Sequence, residues 1–431
     1  MKNVLTLFWA FLLAAFTLQA QQYDVLDQVR SDSRKARGME GPHRLEQMGP
    51  LTKAPKGYKP FYITHYGRHG SRYAWNSDTY KIIHKVLAAA DEKGVLTPYG
   101  QAFREKYEAF YMEPWINAGD LVPLGFEQHQ TIGEFVYASF PEVFKKDRQV
   151  FAVSSTAQRC IVSMGAFNLG LKSGNPQLRI TLKSTHDGMC IIAPPSAPRQ
   201  LRKHFEGEKA EVDWESAPDF IQRVAPLGSL LDKLFTSQDF LEDFNFEGGK
   251  LEFVSELYEL YCGYHNYEPQ PLFDDLLTED ERVAAWEANN YSSFRYDITS
   301  RYSVIPLLQD ILAKAESAPL DPSRAADLRF GHDYILEALV TLLNVNGMGT
   351  IPGSPEEVKY WFRNFDIPMA ATLLFVFYQN RKGDILFKVL LNEQEATLPA
   401  LTPVSGPYYR WSDFQAFANA IIAAHPEVPA K

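Results

Sequence analysis

Short apolar segments and longer segments with helical spacing alternate through the first half of the chain. A strand is predicted at Phe61–Tyr66, because β-branched and aromatic residues there are bounded by Pro60 and Gly67. Val150–Val153 and Leu178–Leu182 are short apolar segments of the same kind. Helices are predicted from Asn76 or Ser77 to Ala90, from Thr97-Pro98 to about Trp115, after Gly125, and from Ser155 or Thr156 to Leu169. Strands that alternate with helices predict an α/β core.

The pattern changes between residues 186 and 325, where aromatic and acidic residues are frequent and the periodic segments are mostly helical. We interpret this region as a helical insertion. Beyond it the α/β pattern resumes with a helix at Tyr334–Leu343, strands at Thr372–Tyr378 and Ile385–Leu391, a turn at Asn380–Asp384 and a helix at Trp411–Ala424. The predicted core therefore comprises residues 21–185 and 326–431.

Residues 1–20 have the features of a secretory signal peptide. Lys2 supplies a positive charge, Val4–Leu18 is almost entirely apolar, and cleavage is expected after Ala20. A membrane anchor is the alternative, but the apolar segment is shorter than the ~20 residues of a spanning helix. No later segment approaches spanning length, so we expect a periplasmic or extracellular protein without a membrane span.

Charge and cysteine content exclude several classes of protein. The 431 residues include 43 Lys and Arg against 53 Asp and Glu, a formal net charge of −10, with no long basic segment. Nucleic-acid binding depends on neutralising phosphates, so this balance argues against it. At first sight the negative net charge also argues against an anionic small molecule as the substrate. Cys160, Cys190 and Cys262 are too few for a disulfide scaffold and form no metal-type pair, although one disulfide remains possible.

The densest polar cluster, Gly67–Tyr73, directly follows the first predicted strand. Ligands of open α/β sheets bind at the carboxyl ends of strands, so chemistry is expected here. Arg68 and Arg72 present planar donors that match phosphate or carboxylate oxygens. His69 between them is an electrostatic contact, a general base or a nucleophile. A solvated basic turn is the alternative that the cluster alone leaves open.

Four ordered blocks and a closing strand pair resemble the histidine acid phosphatases, the phytase-bearing branch of the histidine phosphatase superfamily. Gly67–Arg72 resembles that family's R-H-G-x-R signature, and the likeness extends over about residues 60–425. The other matching segments are Leu124–His129, Ser154–Arg159, Phe330–Asp333 and Pro368–Asn392.

The resemblance implies a helix-flanked mixed α/β sheet in which the insertion forms a cap over a phosphate pocket. It implies that His69 is a nucleophile that forms a phosphohistidine, and that Asp333 protonates the leaving oxygen. Neither a metal nor another cofactor is implied. The groups that would surround the phosphoryl group are Arg68, Arg72, Arg159 and His332.

Two further expectations follow from these roles. The Asp333 carboxyl group, with an ordinary pKa of about 3.9, donates a proton only under acidic conditions or after burial. We therefore expect the activity to have an acidic or near-neutral pH optimum. Arginines that converge from distant positions create a locally positive cleft. The net charge therefore does not disfavour a small phosphate ester as the substrate.

Departures from the family pattern leave the substrate open. Ala74 replaces the Pro that usually ends the signature, and Tyr334-Ile335 replace the Thr-Asn of many members. The multiple inositol polyphosphate phosphatases usually carry His-Ala-Glu where this chain has His332-Asp333. Inositol phosphates such as phytate are slightly favoured over a broad range of phosphomonoesters. A non-catalytic phospholigand-binding protein and an intracellular phosphomutase remain alternatives, and the oligomeric state is not indicated.

Several polar residues have a structural interpretation beside a functional one. His186-Asp187 is a second His-Asp pair, but it precedes a glycine rather than an amphipathic helix, so it is disfavoured as catalytic. His65 is interpreted as a core histidine and Cys160 as a small buried hydrophobe. His129 is equally consistent with a pocket role and a core role. A solvated face or a contact with a polyanion explains the basic residues Arg199, Arg202, Lys203 and Lys209.

Overall fold

The computed structural model describes residues 25–205, 220–221, 224–225, 227–244, 246 and 249–428. The predicted signal peptide and Lys209 lie outside these residues. No helix in the described part of the chain is both long and apolar enough to cross a bilayer.

The described residues form one eight-stranded sheet in the order β3-β2-β5-β1-β6-β7-β8, with β9 paired to β7, and a small sheet of β4 and β10. The strands are β1 Lys59–Arg68, β2 Gln149–Ser154, β3 Arg179–Ser184, β4 His204–Phe205, β5 Arg324–Gly331, β6 Thr372–Gln379, β7 Ile385–Leu391, β8 Gln394–Ala396, β9 Tyr409–Arg410 and β10 Glu427–Val428. Strands β3, β2, β5 and β1 are parallel, whereas β6 and β7 run antiparallel to their neighbours. The predicted mixed sheet is confirmed.

Helices cover both faces of the large sheet. They are α1 Asp78–Glu92, α2 Pro98–Phe110, α3 Met112–Ile116, α4 Pro123–Ser139, α5 Gln158–Gly174, α6 Met189–Ile192, α7 Leu227–Leu234, α8 Lys250–Gly263, α9 Glu279–Ser300, α10 Ile305–Ser317, α11 Asp333–Leu342, α12 Val358–Trp361 and α13 Trp411–Ala424. Apolar residues of α10, α11 and α13 pack on one face, and those of α4 and α5 pack on the other.

Helices from two distant parts of the sequence share a separate apolar cluster. Tyr80 of α1 and Phe103 of α2 are buried with Leu230 of α7 and Phe253 of α8. Helix α10, by contrast, packs against the large sheet. The region between residues 186 and 325 therefore contributes to both the sheet core and the second cluster.

Strand β5 lies in the middle of the sheet, yet the sequence pattern did not predict it. Its sequence places charged residues at Asp327 and Arg329, and both are buried. Asp327 accepts hydrogen bonds from the Tyr62 hydroxyl at 2.8 Å and from Arg324 Nη1 at 2.9 Å. Arg329 Nη1 donates to Thr64 Oγ1 at 2.7 Å, and its Nε donates to the Asp310 carboxylate at 2.9 Å. Because these buried charges are paired, a central strand tolerates them.

The topology brings three strand ends to one edge of the sheet. In the pairing register, Arg68 at the end of β1 lies opposite Gly331 of β5, and Ser154 at the end of β2 lies opposite Phe330. The loops that leave these parallel strands therefore converge.

Helices α4 and α5, which follow two of those loops, approach each other through glycines. A Cβ atom at Gly133 would lie 2.1 Å from the Phe167 carbonyl oxygen, and one at Gly170 would lie 2.2 Å from that of Gln130. Real atoms do not approach so closely, so any larger residue would separate the helices.

We expect Gly133→Ala to lower the free energy of unfolding by roughly 1–3 kcal/mol, because the added methyl group overpacks this contact. Gly165→Ala is the matched control on α5, since a Cβ there meets no atom within 4 Å. The control should be neutral or stabilising by about 0.5–1 kcal/mol, the helix-propensity difference. Urea unfolding of both variants measures this, and equal stability of the two would contradict the packing account.

Candidate active site

The loop after β1 is anchored by backbone hydrogen bonds to both neighbouring strands. His69 N–H donates to the Gly331 carbonyl at 2.9 Å, and the His69 carbonyl accepts from Ala370 N–H at 2.9 Å. Arg68 N–H donates to the Ala371 carbonyl at 2.8 Å. The signature residues therefore have a fixed backbone at the carboxyl edge of the sheet.

Helix α4 packs closely against this loop because two glycines face each other. A Cβ at Gly70 would lie 2.4 Å from the Gly125 carbonyl oxygen, and one at Gly125 would lie 2.3 Å from that of Ser71. The close approach allows Gln128 Oε1 to accept from Ser71 N–H at 2.9 Å. Any side chain at either glycine would therefore push the loop and the helix apart.

His129 has a positioning role in the same contact. It is completely buried, and its Nε2 lies 2.9 Å from the Arg68 carbonyl oxygen. Burial lowers its pKa to about 3, so the ring is neutral and its Nε2–H donates to that carbonyl. Of the two interpretations the sequence allowed, the structure supports a buried residue that holds the loop.

His69 is buried with a defined tautomer. Its Nδ1 lies 3.0 Å from the Gly70 carbonyl oxygen, which only accepts hydrogen bonds, so Nδ1 carries the proton and Nε2 keeps its lone pair. Burial, Arg72 and Arg68 together hold the pKa of His69 well below its ordinary value. A neutral imidazole with a free Nε2 has the electronic form of a nucleophile.

The other predicted residues gather around this imidazole. The His69 and His332 rings meet edge to face with centroids 5.8 Å apart, and His332 Nε2 lies 2.9 Å from Ser155 Oγ. Burial and Arg159 lower the pKa of His332 to about 4, so it is neutral. Arg159 Nη1 donates to the Gly119 carbonyl at 3.2 Å.

Three unpartnered donors belong to this pocket. The Nε atoms of Arg68, Arg72 and Arg159 are buried and have no hydrogen-bond partner among the described residues. Buried donors normally find an acceptor, because leaving one unsatisfied costs about 1–3 kcal/mol. The Nε atoms of Arg37, Arg104 and Arg148 elsewhere in the described residues are also unpartnered, so the three Nε donors alone do not define an anion site.

Asp333 begins helix α11 and forms an ion pair across the pocket. Its Oδ2 lies 2.7 Å from Arg68 Nη2, and its Oδ1 accepts from Tyr334 N–H at 2.8 Å. Burial alone would raise its pKa, but Arg68 and Arg72 hold the value at about 2. Asp333 is therefore ionised in the unliganded protein, which differs from the protonated acid that the sequence analysis expects.

Glu40 is a pocket residue that sequence reasoning missed. It ends the 3-10 helix Lys35–Glu40, and its Oε1 accepts from Arg68 Nη2 at 3.2 Å and from Arg72 Nη2 at 3.3 Å. Glu259 of α8 lies nearby, and burial together with Glu40 raises the pKa of Glu259 to about 8. No motif marks either glutamate, because both come from segments far from the signature in sequence.

Glu337 and Asp297 form a buried pair of carboxyl groups near Asp333. Glu337, one turn along α11, faces Asp297 of α9, and both are buried. Burial and the neighbouring negative charges raise the pKa of Glu337 to about 8 and that of Asp297 well above its ordinary value. Apart from the facing Glu337 carboxyl group, the Asp297 oxygens have no donor among the described residues, so a proton shared by the two carboxyl groups would satisfy both.

The remaining candidates lie outside the pocket or have structural roles. His65 is buried between Phe167 and Phe330, and its ring nitrogens have no partner among the described residues. His186 is exposed, and Asp187 pairs with Lys183 at 3.0 Å. Among the basic residues of the insertion, Arg199 is exposed, Arg202 donates to the Ala197 carbonyl, and Lys203 pairs with Glu427.

The three cysteines are free. Cys160 is buried beside the pocket and donates to the Gly331 carbonyl at 3.2 Å. Burial raises its pKa to about 12, so it is a thiol rather than a reactive thiolate, as the sequence analysis expects. Among the described residues no group of three or more His, Cys, Asp or Glu side chains is arranged to hold a metal ion.

The helix-flanked mixed sheet carries a buried histidine among arginines at its carboxyl edge, an arrangement suited to binding a group with anionic oxygens. The model of the histidine phosphatase superfamily (branch 2) matches residues 67–392, and the chain belongs to that family. It is accordingly a phosphoric monoester hydrolase of the histidine type.

Among curated proteins, the chain is 23% identical over 381 residues to the multiple inositol polyphosphate phosphatase 1 of Gallus gallus, covering 82% of this chain and 81% of the relative. Among solved structures, the multiple inositol polyphosphate phosphatase of Bifidobacterium longum in complex with inositol hexasulfate matches with a TM-score of 0.71 at 17% identity, covering 91% of this chain and 99% of the other. The phytase from D. castellii matches with a TM-score of 0.64 at 15% identity, covering 93% and 86%. These structural likenesses support the fold.

The Glu337–Asp297 pair should make stability fall with rising pH. Because the folded state binds this proton more tightly than the unfolded state, unfolding releases it between about pH 4.5 and pH 8, and the free energy of unfolding decreases over that window. In Glu337→Gln the free energy of unfolding should fall less over this pH window than in the wild type, by on the order of a few kcal/mol, since one pKa unit corresponds to about 1.4 kcal/mol.

The measurement is denaturant unfolding from pH 5 to pH 8, with the exposed Glu127→Gln on α4 as the control. Parallel curves for Glu337→Gln and the wild type would show that the pair holds no extra proton.

Proposed function

We propose that the protein is a secreted phosphomonoesterase that transfers a phosphoryl group to His69 and then to water. The observation that carries the proposal is the buried, neutral His69, whose Nδ1–H is fixed by Gly70. His69 also lies close enough to Arg72, Arg68 and Arg159 for their positive charges, together with burial, to lower its pKa. This is the arrangement that phosphoryl transfer needs, namely positioning and electrostatic stabilisation around a nucleophile.

In the first step, His69 Nε2 attacks phosphorus, an N–P bond forms and the bond from phosphorus to the ester oxygen breaks. Arg68, Arg72 and Arg159, with the neutral His332, stabilise the charge on the phosphoryl oxygens. Asp333 gives its proton to the departing alkoxide. In the second step, water attacks phosphorus, the N–P bond breaks, inorganic phosphate leaves, and Asp333 takes up the proton of the water.

Binding of the substrate turns Asp333 into a proton donor. In the unliganded pocket, its partner Arg68 keeps it ionised. A phosphate ester competes for Arg68 and brings further negative charge, and both effects raise the pKa of a neighbouring carboxyl group. Asp333 is therefore protonated only when an ester is bound, and an acidic or near-neutral pH optimum follows.

Inositol polyphosphates are the substrates we favour. The Gallus gallus relative is a multiple inositol polyphosphate phosphatase, and the Bifidobacterium longum structure was determined with inositol hexasulfate. The departure at His332-Asp333 from the usual His-Ala-Glu leaves broad phosphomonoesterase activity as the alternative. A panel of phytate, sugar phosphates and p-nitrophenyl phosphate distinguishes the two, and phytate should give the highest kcat/KM.

His69→Ala should reduce phosphate release from p-nitrophenyl phosphate by several orders of magnitude without loss of folding, since it removes the nucleophile. The matched control is His186→Ala, because His186 belongs to the exposed His-Asp pair. The control should keep wild-type kcat. Near-wild-type turnover by folded His69→Ala would refute the assignment of the nucleophile.

Asp333→Asn should impair the hydrolysis of inositol phosphates far more than that of p-nitrophenyl phosphate. An inositol alkoxide needs a proton to leave, whereas p-nitrophenolate is a stable anion, so the expected loss in kcat is about 10²–10⁴-fold for the first and smaller for the second. Steady-state kinetics with both esters tests this. An equal loss for both esters would contradict proton donation by Asp333, and so would wild-type activity that stays flat up to pH 9.

A further inference from the structure

Two arginines of the phosphate pocket meet at one carboxylate oxygen. Glu40 Oε1 accepts from Arg68 Nη2 at 3.2 Å and from Arg72 Nη2 at 3.3 Å. The side chains of Arg68 and Arg72 are almost completely buried, and that of Glu40 is 10% exposed. Two guanidinium groups brought this close in a buried pocket repel each other unless an anion lies between them.

A count of donors shows how differently the two arginines are held. A guanidinium has five N–H donors. Arg68 contacts the Met39 and Ile367 carbonyls through Nη1, and Glu40 and Asp333 through Nη2. Only its Nε–H lacks a partner among the described residues.

Arg72 has fewer contacts. Its Nη1 donates to the Tyr73 carbonyl at 2.9 Å and its Nη2 donates to Glu40, so two of its five donors are engaged. Within the described part of the chain, Glu40 is thus the one carboxylate that orients Arg72 by a direct hydrogen bond, and it also links Arg72 to the firmly held Arg68. Without it, the Arg72 guanidinium keeps a single backbone contact.

The segment that carries Glu40 is itself held from two sides. The Gly41 carbonyl accepts from Met369 N–H at 2.9 Å, beside the loop of His69. Asn266 Nδ2, after helix α8, donates to the Glu40 carbonyl at 2.8 Å. Gly38 permits the turn, since its φ is +52° and a Cβ there would lie 2.9 Å from Asn364. The backbone that carries the Glu40 carboxylate is therefore held at a fixed position.

We propose that Glu40 is a positioning residue for phosphoryl transfer, which holds Arg68 and Arg72 at the spacing that the transferring phosphoryl group requires. The inference rests on the proposed function. Glu40 does not touch the reacting atoms; it acts through the two arginines. It also offsets part of their charge, so that the inorganic phosphate produced by the reaction is not retained too tightly.

The test compares the full-length wild type with Glu40→Gln, Glu40→Asp and Glu46→Gln. Glu46 is the matched control because it lies on the same segment but is exposed and pairs with Arg34. The measurements are kcat and KM for p-nitrophenyl phosphate, the dissociation constant of inorganic phosphate by calorimetry, and the thermal unfolding temperature.

Glu40→Gln should lower kcat at least about tenfold, because small misplacements of catalytic groups cost up to 10²-fold. Inorganic phosphate should bind it as tightly as the wild type or more tightly, since the pocket has lost a negative charge. Glu40→Asp, which keeps the charge on a shorter side chain, should recover part of kcat. Glu46→Gln should match the wild type in all three measurements.

Two results overturn the proposal. One is a kcat for Glu40→Gln within twofold of the wild type. The other is a parallel loss of kcat, phosphate affinity and unfolding temperature, which is the signature of a merely structural residue. If Glu40→Gln does not fold, Glu40→Asp decides alone: reduced kcat at wild-type unfolding temperature supports the proposal, and wild-type kcat overturns it. A wild type that neither hydrolyses the ester nor binds phosphate refutes the proposed function itself, which is a distinguishable outcome.

Discussion

Confining three arginines beside a neutral histidine is the electrostatic constraint on which the pocket depends. Positive charges in a buried site destabilise one another, and burial together with these charges holds the pKa of His69 below its ordinary value. Asp333 and Glu40 compensate for them in the unliganded protein through direct ion pairs with Arg68. The same positive field that helps to keep His69 neutral therefore also favours an anion in the pocket.

The architecture serves this constraint by fixing the backbone rather than the side chains alone. The signature loop is bonded to β5 and to the start of β6, and α4 approaches it through Gly70 and Gly125. Such close contacts exclude side chains, so the glycines are part of the site even though they carry no chemistry. The negative net charge of the whole chain is irrelevant at this scale, because the local field in the cleft governs the capture of an anion.

Sequence reasoning found the parts of the protein where local pattern and local role coincide. The strand before Gly67 and the helix after His332 were predicted from apolar periodicity and are present in the structure. A short motif singled out the signature residues, and the structure places them at the end of that strand, while their catalytic roles stay predictions. Strand β5 was missed because Asp327 and Arg329 interrupt its apolar pattern, and only their buried partners make them tolerable. Glu40 was missed because its role depends on a contact between segments that are not neighbours in sequence. The ionised state of Asp333 likewise depends on Arg68, which only the folded structure places beside it.

The central claim is that His69 Nε2 takes the phosphoryl group. The most direct measurement is rapid quenching of the wild-type enzyme with a ³²P-labelled phosphomonoester, followed by mapping of the labelled peptide. The account predicts a label that is stable in base and labile in acid, as a phosphoramidate is, on the peptide that contains His69. A label on another residue, or rapid turnover with no labelled protein at any quench time, would contradict it.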